Sequence, residues 1–537
     1  MAAVDPISLE VFKNLFAAVA EEMGVTLQRA SFSPNIRERL DFSCAVFDAK
    51  ARMVAQAAHI PVHLGSMPAS VEYALREFDS FNPGDVIILN DPYHGGTHLP
   101  DITMVSPVFV DGVVRFFVAS RAHHADVGGM SPGSLPLSTE LYQEGIIIPP
   151  IKLIEGQHPL SNALERGMGV EVRRNTAALA LITANSRAPQ ERLGDLEAQL
   201  AAQRVGEKRL LAMVAEHGVE TVSDHAAALL DYSRRMTEAV IDSIPDGIYT
   251  FEDAMEGDGQ SEFHIPIKTT VTVAGSRMVV DFTGSAPQVA GNINAVEAIV
   301  RSATWYCVRL LAVDDVPVNH GCFAPVQVIT PPHSLLNPDF PAAVAVGNTE
   351  TGQRVVDVVL GALAQALPDQ IPAASQGSMN NFTCGGNQNG RAFVYYETIA
   401  GGHGAGPTGD GLNGRHSHMT NTRNTPVEAL EYALPMRVLE YSLRDGSGGQ
   451  GQHVGGAGIR RVYEFLTPAT ITLNSERRVY QPYGLQGAAA GAAGVNQIVR
   501  RSNTQPMNAS GKYTGMVSAG DRVVIETPGG GGWGAKS

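Results

Sequence analysis

At 537 residues the chain is too long for one simple core, so two or three domains are expected. Hydrophobic residues at 44% and charged residues at 17% make an ordinary globular balance. The net charge of -15 argues against nucleic acid or an anionic membrane surface as partner.

The first thirty residues hold no apolar run long enough for a signal peptide or a membrane span, so a cytoplasmic protein is expected. Asp5-Pro6 reads as an N-cap with proline at the first helical position. Leu9, Phe12, Phe16, Val19 and Met23 then predict an amphipathic helix to about residue 30. From Leu40 the pattern alternates, with Leu40, Phe42, Cys44 and Val46 on one strand face and Asp41, Ser43 and Ala45 on the other. Cys44, Cys307, Cys322 and Cys384 lie far apart and read as reduced core thiols. Residues 85–90 predict a buried strand. Ile102–Val110 and Val113–Ser120 flank Asp111-Gly112, a hairpin turn signal. Alternation along the second hairpin strand puts Arg115, Arg121 and His123 on one face, with Val114, Phe116, Val118 and His124 on the other.

Pro189 opens a long helix whose apolar positions include Leu193, Leu196, Leu200, Leu210 and Val214, closed by Gly218. A second helix over about 223–243 makes an antiparallel pair with it. Thr269–Val273 and Met278–Phe282 predict another hairpin, and Ala295–Val313 a helix with Trp305 and Leu310 in the core. Gln376–Gly390 and Gly401–Arg415 read as consecutive tight loops. Short strands follow at Arg460–Phe465, Ala469–Asn474, Gln497–Val499 and Arg522–Glu526, and Gly529–Gly534 reads as a flexible end. The expected class is a multi-domain α+β fold with mixed or antiparallel sheets, an antiparallel helix pair and a glycine-rich β C-terminal region. The divisions fall at 1–185, 186–245, 246–425 and 426–537.

Chemistry concentrates in Asn90-Asp-Pro-Tyr-His-Gly-Gly-Thr-His-Leu-Pro-Asp101, whose prolines and glycines forbid regular structure. Within His98-Leu-Pro-Asp101, Pro100 extends Leu99, so an imidazole and a carboxylate can aim at one point. Two ligands hold a divalent ion poorly, and Asp41 and His123 are the natural recruits. Two nitrogens and two carboxylates suit zinc, and also manganese or ferrous iron. His124 stays open as the alternative to His123. Asp91, His94 and Asp126 are candidates for proton transfer or for facing the substrate. Pro61 lies between His59 and His63 and denies them a shared helical face, so both read as structural. His416–Pro426 reads as a solvated, self-bonded loop, with His418 or Arg423 as its site candidates. The sequence has no phosphate loop and no nucleophile elbow.

Arg39–Phe47, His59–Met67, Asn90–Asp101, Arg121–Asp126, Asn185-Ser-Arg, Leu193-Gly-Asp-Leu and His418–Pro426 together resemble the hydantoinase B family over essentially the whole chain. That family includes B subunits of hydantoinases, 5-oxoprolinases and caprolactamase, and more distantly subunits of acetone and acetophenone carboxylases. The resemblance implies a metal-bearing B subunit of an ATP-dependent cyclic amidase, with metal ligands Asp41, His98, Asp101 and His123. It also implies an A-type ATPase partner that binds ATP and Mg and phosphorylates the substrate oxygen or bicarbonate, the two assembling as an (αβ)2 heterotetramer. A ketone carboxylase subunit is the alternative, and a scaffold with a structural ion the non-enzymatic one.

Overall fold

The computed structural model describes residues 4–57, 60–156, 172–312 and 316–536. Helix α1 (Pro6–Ala30) starts as its sequence predicts, with the Asp5 carboxylate accepting from the Ser8 amide at 2.9 Å. After it come α2 (Pro34–Arg37), β1 (Phe42–Asp48), β2 (Met53–Gln56), α3 (His63–Glu77), β3 (Val86–Leu89), β4 (Asp101–Val110) and β5 (Val113–His123). Strands β6 (Ile151–Gly156) and β7 (Val172–Arg174) complete a sheet ordered β2-β1-β5-β4-β3-β6-β7.

This sheet is covered on both faces. Phe42, Cys44 and Val46 pack with Phe12, Phe16 and Met23 of α1 and with Ala198 and Leu210. Ala45 and Phe47, on the face expected to be less apolar, pack against Leu64, Met67 and Val71 of α3. Helices α4 (Thr176–Ala184), α5 (Pro189–His217) and α6 (Val219–Asp242) follow, and only Gly218 separates the last two. Leu193 is exposed, in contrast to the expectation of an apolar contact there.

The β4–β5 hairpin decides where the site forms. Asp111 and Gly112 both have positive φ, 52° and 74°, as the tight hairpin turn requires. Pairing starts as Val110↔Val113, then shifts by one residue between Val108 and Phe109, leaving Arg115 as the extra residue. Beyond the shift Asp101 stands opposite His123; without it Asp101 would face Ala122, and its side chain would lie on the other face. The bulge also separates Val114 from Phe116. Val114 packs on the α3 side with Phe117, and Phe116 on the α1 side, which corrects their expected common face.

The second sheet, ordered β11-β10-β9-β8, holds β8 (Gly247–Met255), β9 (Ile265–Ala274), β10 (Arg277–Asp281) and β11 (Val326–Ile329); β10–β11 is its parallel pair. Helix α7 (Glu297–Leu310) carries Trp305 stacked on Phe323, whereas Leu310 is exposed and not a core residue. Val313, the expected end of that helix, lies outside the described residues. After α8 (His320–Phe323) a π-helical turn, Gly347–Thr351, enters the buried helix α9 (Gly352–Ala366).

The remaining strands are β12 (Asn381–Gln388), β13 (Arg391–Glu397), β14 (Met436–Arg444), β15 (Gly458–Phe465), β16 (Ala469–Asn474), β17 (Val495–Arg500), β18 (Asn503–Ala509), β19 (Lys512–Val517) and β20 (Arg522–Glu526). They form two antiparallel sheets, β13-β12-β16-β19 and β14-β15-β20-β17-β18. The whole is a mixed α+β fold. Two expectations fail here. Residues 381–388 are a strand inside the expected loop, pairing with both β13 and β16. Gly529–Gly532 is buried, its amides bonded to Ala492, Gly456, Ala374 and Ala489 carbonyls, so the glycine run is a packed strap. No described helix is long and apolar enough to cross a membrane.

Candidate metal centre

Asp101 and His123 meet at the end of the hairpin, and two further segments reach them. His98 comes from the loop before β4. Asp41 is carried in by the backbone, its carbonyl accepting from the His123 amide at 3.0 Å, immediately after Leu40 with its left-handed φ of 59°. All four side chains line one cavity with His63, Asn348, Tyr396, Thr398, Thr420 and Thr422. Ligand atoms of His98, Asp101 and His123 lie within 4.8 Å of one another.

Spacing and hydrogen-bond supply both fit a cation. His98 Nε2 is 3.4 Å and His63 Nε2 3.5 Å from Asp101 Oδ2, long for hydrogen bonds. Two ligand atoms about 2.0–2.1 Å from a tetrahedral ion sit about 3.3 Å apart. Nε2 of His63, His98 and His123 are all buried without a hydrogen-bond partner. His98 donates Nδ1–H to the Ala345 carbonyl at 2.8 Å, so Nε2 is the nitrogen aimed at the cluster, and it ligates once it gives up the proton that Asp101 helps it hold in the metal-free chain. The Val344–Ala345 backbone is itself pinned by Glu144 Oε1, at 2.8 and 3.0 Å from the two amides. His63 Nδ1 lies 2.8 Å from the Ser43 hydroxyl, and donating there also frees its Nε2. His123 differs. The Asn35 amide nitrogen sits 2.7 Å from its carbonyl and 2.9 Å from Nδ1, which puts the ring proton on Nε2. Ligation through Nε2 requires that proton to move to Nδ1.

Electrostatics point the same way. Burial works against the Asp101 carboxylate, but His98 and His63 outweigh it and hold it well below the usual range. Burial pushes Asp41 up to about 6, Arg39 opposing and the nearby Asp101 adding to the rise. Two close buried carboxylates are the environment a divalent cation relieves.

Asp41 makes the stability of the metal-free chain depend on pH. Between its ordinary value of 3.8 and about 6 the folded chain keeps a proton the unfolded chain has lost. Stability therefore falls as pH rises through that window, and the penalty is complete above it. In chelator at pH 7.5, Asp41→Asn is expected to be more stable than wild type by on the order of 2 kcal/mol. The gap should narrow markedly by pH 4.5 and close only below pH 3.8, where both states keep the proton. Thermal melts at both pH values check this, and a less stable variant at pH 7.5 contradicts it.

The other candidates fall elsewhere. His94 is half exposed, its Nδ1 2.7 Å from Asp91 Oδ2 and its ring edge-on to Tyr73. Asp126 is buried, and its oxygens accept from the Gly128, Gly133 and Arg187 amides and from the Arg187 guanidinium. Neither lines the cavity. His124 turns away to Gln199 and Arg192. Cys44 is core, its thiol pushed far up by burial. His59 lies outside the described residues. Sequence reasoning missed His63 by testing it only as a helical partner of His59; it opens α3 and reaches the cluster alone. The 416–426 loop is a cavity wall through Thr420 and Thr422, not a solvated excursion.

The Hydantoinase B/oxoprolinase profile matches residues 5–536. The chain is 40% identical to 5-oxoprolinase 1 of Arabidopsis thaliana, covering 99% of this chain and 42% of that protein. It is 32% identical to the putative B component of a D-/L-hydantoinase of Pseudomonas sp., covering 99% and 90%. In structure it superposes on an ATP-dependent caprolactamase from Pseudomonas jessenii with TM-score 0.91 and 28% identity, covering 99% and 92%. Thus the chain spans most of the hydantoinase component, yet about two-fifths of the 5-oxoprolinases it matches. Extended over nearly every residue, these matches show that the chain belongs to the Hydantoinase B/oxoprolinase family.

Proposed function

We propose that this chain is the metal-bearing B component of an ATP-dependent cyclic amidase, opening a lactam, hydantoin or 5-oxoproline ring after a partner has phosphorylated the carbonyl oxygen. The observation that carries this reading is the buried convergence of His98, Asp101 and His123, joined by Asp41, in a chain of this family. Asp41, His98, Asp101 and His123 would hold the ion, zinc first by donor set, then manganese or iron. When bound, the ion supplies Lewis-acid polarisation of oxygen at the reacting carbon.

The chain's own residues do the rest. Asp101 is held by the Thr97 hydroxyl at 2.5 Å and by Asn348 at 3.3 Å, which fixes its carboxylate between His63 and His98. Tyr396 stacks on His123, 4.6 Å between centroids, and sets that ring's plane. The cavity encloses about 20 Å³, room for roughly one water molecule, against about 300–1,000 Å³ for sites that hold a small ligand. The walls exclude bulk water, and a ring must displace part of them to reach the cluster. An unstrained amide resists hydrolysis, so activation at the carbonyl oxygen before entry suits so dry a site.

ATP chemistry is assigned to an A-type partner, because this chain has no phosphate loop and the 5-oxoprolinases are more than twice its length. An (αβ)2 assembly is the arrangement to test. The purified complex should carry one divalent ion per copy of this chain and consume ATP while opening 5-oxoproline, a hydantoin or a medium-ring lactam. Ring opening by this chain alone without ATP would sink the reading. Labelled bicarbonate retained in a stable carboxylated product would assign a ketone carboxylase instead.

A further inference from the structure

One wall of the cavity that holds the cluster has a chemistry of its own. Arg39 is fully buried, and its guanidinium meets only neutral groups: Asn35 Oδ1, the Tyr396 and Arg423 carbonyls, Thr398 Oγ1 at 2.8 Å and Thr422 Oγ1 at 3.4 Å. Its face lies 4.8 Å over the Tyr396 ring. Among the described residues no carboxylate reaches ion-pair distance of it.

The three threonines extend this cation. Thr398 and Thr422 hydroxyls are 2.9 Å apart, and Thr422 and Thr420 hydroxyls 3.4 Å apart. Thr420 Oγ1 also receives the Thr422 amide at 3.5 Å. Oxygens at the Arg39 end accept from the guanidinium, so their protons point onward along the row. Three hydroxyls joined by two such contacts leave at least one proton without an acceptor inside the row. All three residues line the cavity that Asp101 and His98 also line.

We propose that Arg39 and the hydroxyls of Thr398, Thr420 and Thr422 form an oxyanion cradle that takes a phosphoryl oxygen beside the carboxylate–imidazole cluster. A buried guanidinium with no carboxylate at ion-pair distance, acting on Asp41 only from farther off, favours an anion, and hydroxyls polarised by it present the donors. Arg39 also ties the cradle to the cluster, because the Asn35 amide it binds is the one that holds His123. The arrival of a phosphorylated carbonyl rests on the function proposed above; the affinity for the phosphoryl oxyanion itself does not.

Inorganic phosphate is the probe. Titrated calorimetrically into the full-length metal-loaded chain, it is expected to bind by displacing the same walls a ring must displace, since the closed cavity of about 20 Å³ takes only one of its oxygens, with sulfate competing for the same tetrahedral site. The Thr398→Val/Thr422→Val double variant should weaken phosphate binding by about 10- to 100-fold, with metal content by elemental analysis unchanged. Thr398→Ser/Thr422→Ser should restore it. Thr420→Val, which has no contact with Arg39, serves in place of the double variant if that does not fold. No phosphate binding to wild type, equal binding by the valine variants, or loss of phosphate binding only together with the metal would each overturn the cradle. If phosphate binding follows the hydroxyls while the complex opens no ring with ATP, the cradle stands and the cyclic amidase reading fails.

Discussion

Asp101→Asn is expected to lower the metal content of the purified chain from about one ion to under about a tenth, and ring opening in the assembled enzyme by at least about 100-fold. Loss of even an outer partner of a metal ligand lowers affinity or activity about 10–100-fold, and Asp101 sits at the centre of the cluster. One of its oxygens faces Thr97, Asn348, His63 and His98 together. Stability should change less than metal binding. Removing one member of a buried ion pair typically costs about 3–5 kcal/mol because the survivor is left charged. Here Asp101 is what lifts His98 against the pull of burial. With an amide in its place His98 becomes neutral, which removes most of that penalty. Melts in chelator should therefore separate the variants by less than metal-loaded melts do, since the ion contributes its binding energy to the folded state. Elemental analysis and ATP-coupled assays decide the matter. Wild-type metal content in Asp101→Asn would refute the centre.

His98 and Asp101 were legible because Pro100 fixes the local geometry of a four-residue segment. His123 was legible because strand alternation ran to the end of β5. The pairing of Asp101 with His123 was not, since it depends on a bulge at Arg115 that no turn signal announces, and the same bulge split Val114 from Phe116. His63 was hidden by a local test, the helical pair with His59, when its role is set by β1 and β4 packing over α3. Thr420 and Thr422 were noticed only as part of a solvated loop, because a hydroxyl in a Ser/Thr/Asn-rich segment looks alike whether it meets water or a buried guanidinium, and Thr398, directly after β13, left no mark. Outer elements followed periodicity closely, as α1, the β9–β10 hairpin and the C-terminal strands show. Glycine was the systematic failure. Its abundance signals backbone freedom in an isolated segment, but several glycine segments together permit backbone-to-backbone packing, and composition does not distinguish the two.

That packing sets the second large effect. Gly530→Ala is expected to destabilise the chain by about 3 kcal/mol or more, beyond ordinary overpacking. A Cβ on Gly530 would stand 1.9 Å from the His403 carbonyl oxygen and 2.6 Å from the Gly404 nitrogen, both backbone atoms with no rotamer to turn. The segment cannot slide away, because the Gly530 amide donates to Gly456 and its carbonyl accepts from Gly449, each at 2.9 Å. Gly456 is equally confined, its Cβ position 2.1 Å from the Leu412 carbonyl oxygen. Consequences should reach the site, since His403 Nε2 holds the His416 carbonyl at 2.9 Å and the chain from there carries Thr420 and Thr422 into the cavity. Gly409→Ala is the control: nothing lies within 4 Å of its Cβ position, so its melting temperature should match wild type. Gly530→Ala should melt several degrees lower and bind phosphate more weakly even where it is still folded. Equal melting of Gly530→Ala and wild type would mean that the strap is loosely held, and that the 402–416 segment owes its place to something other than the glycines threaded through it.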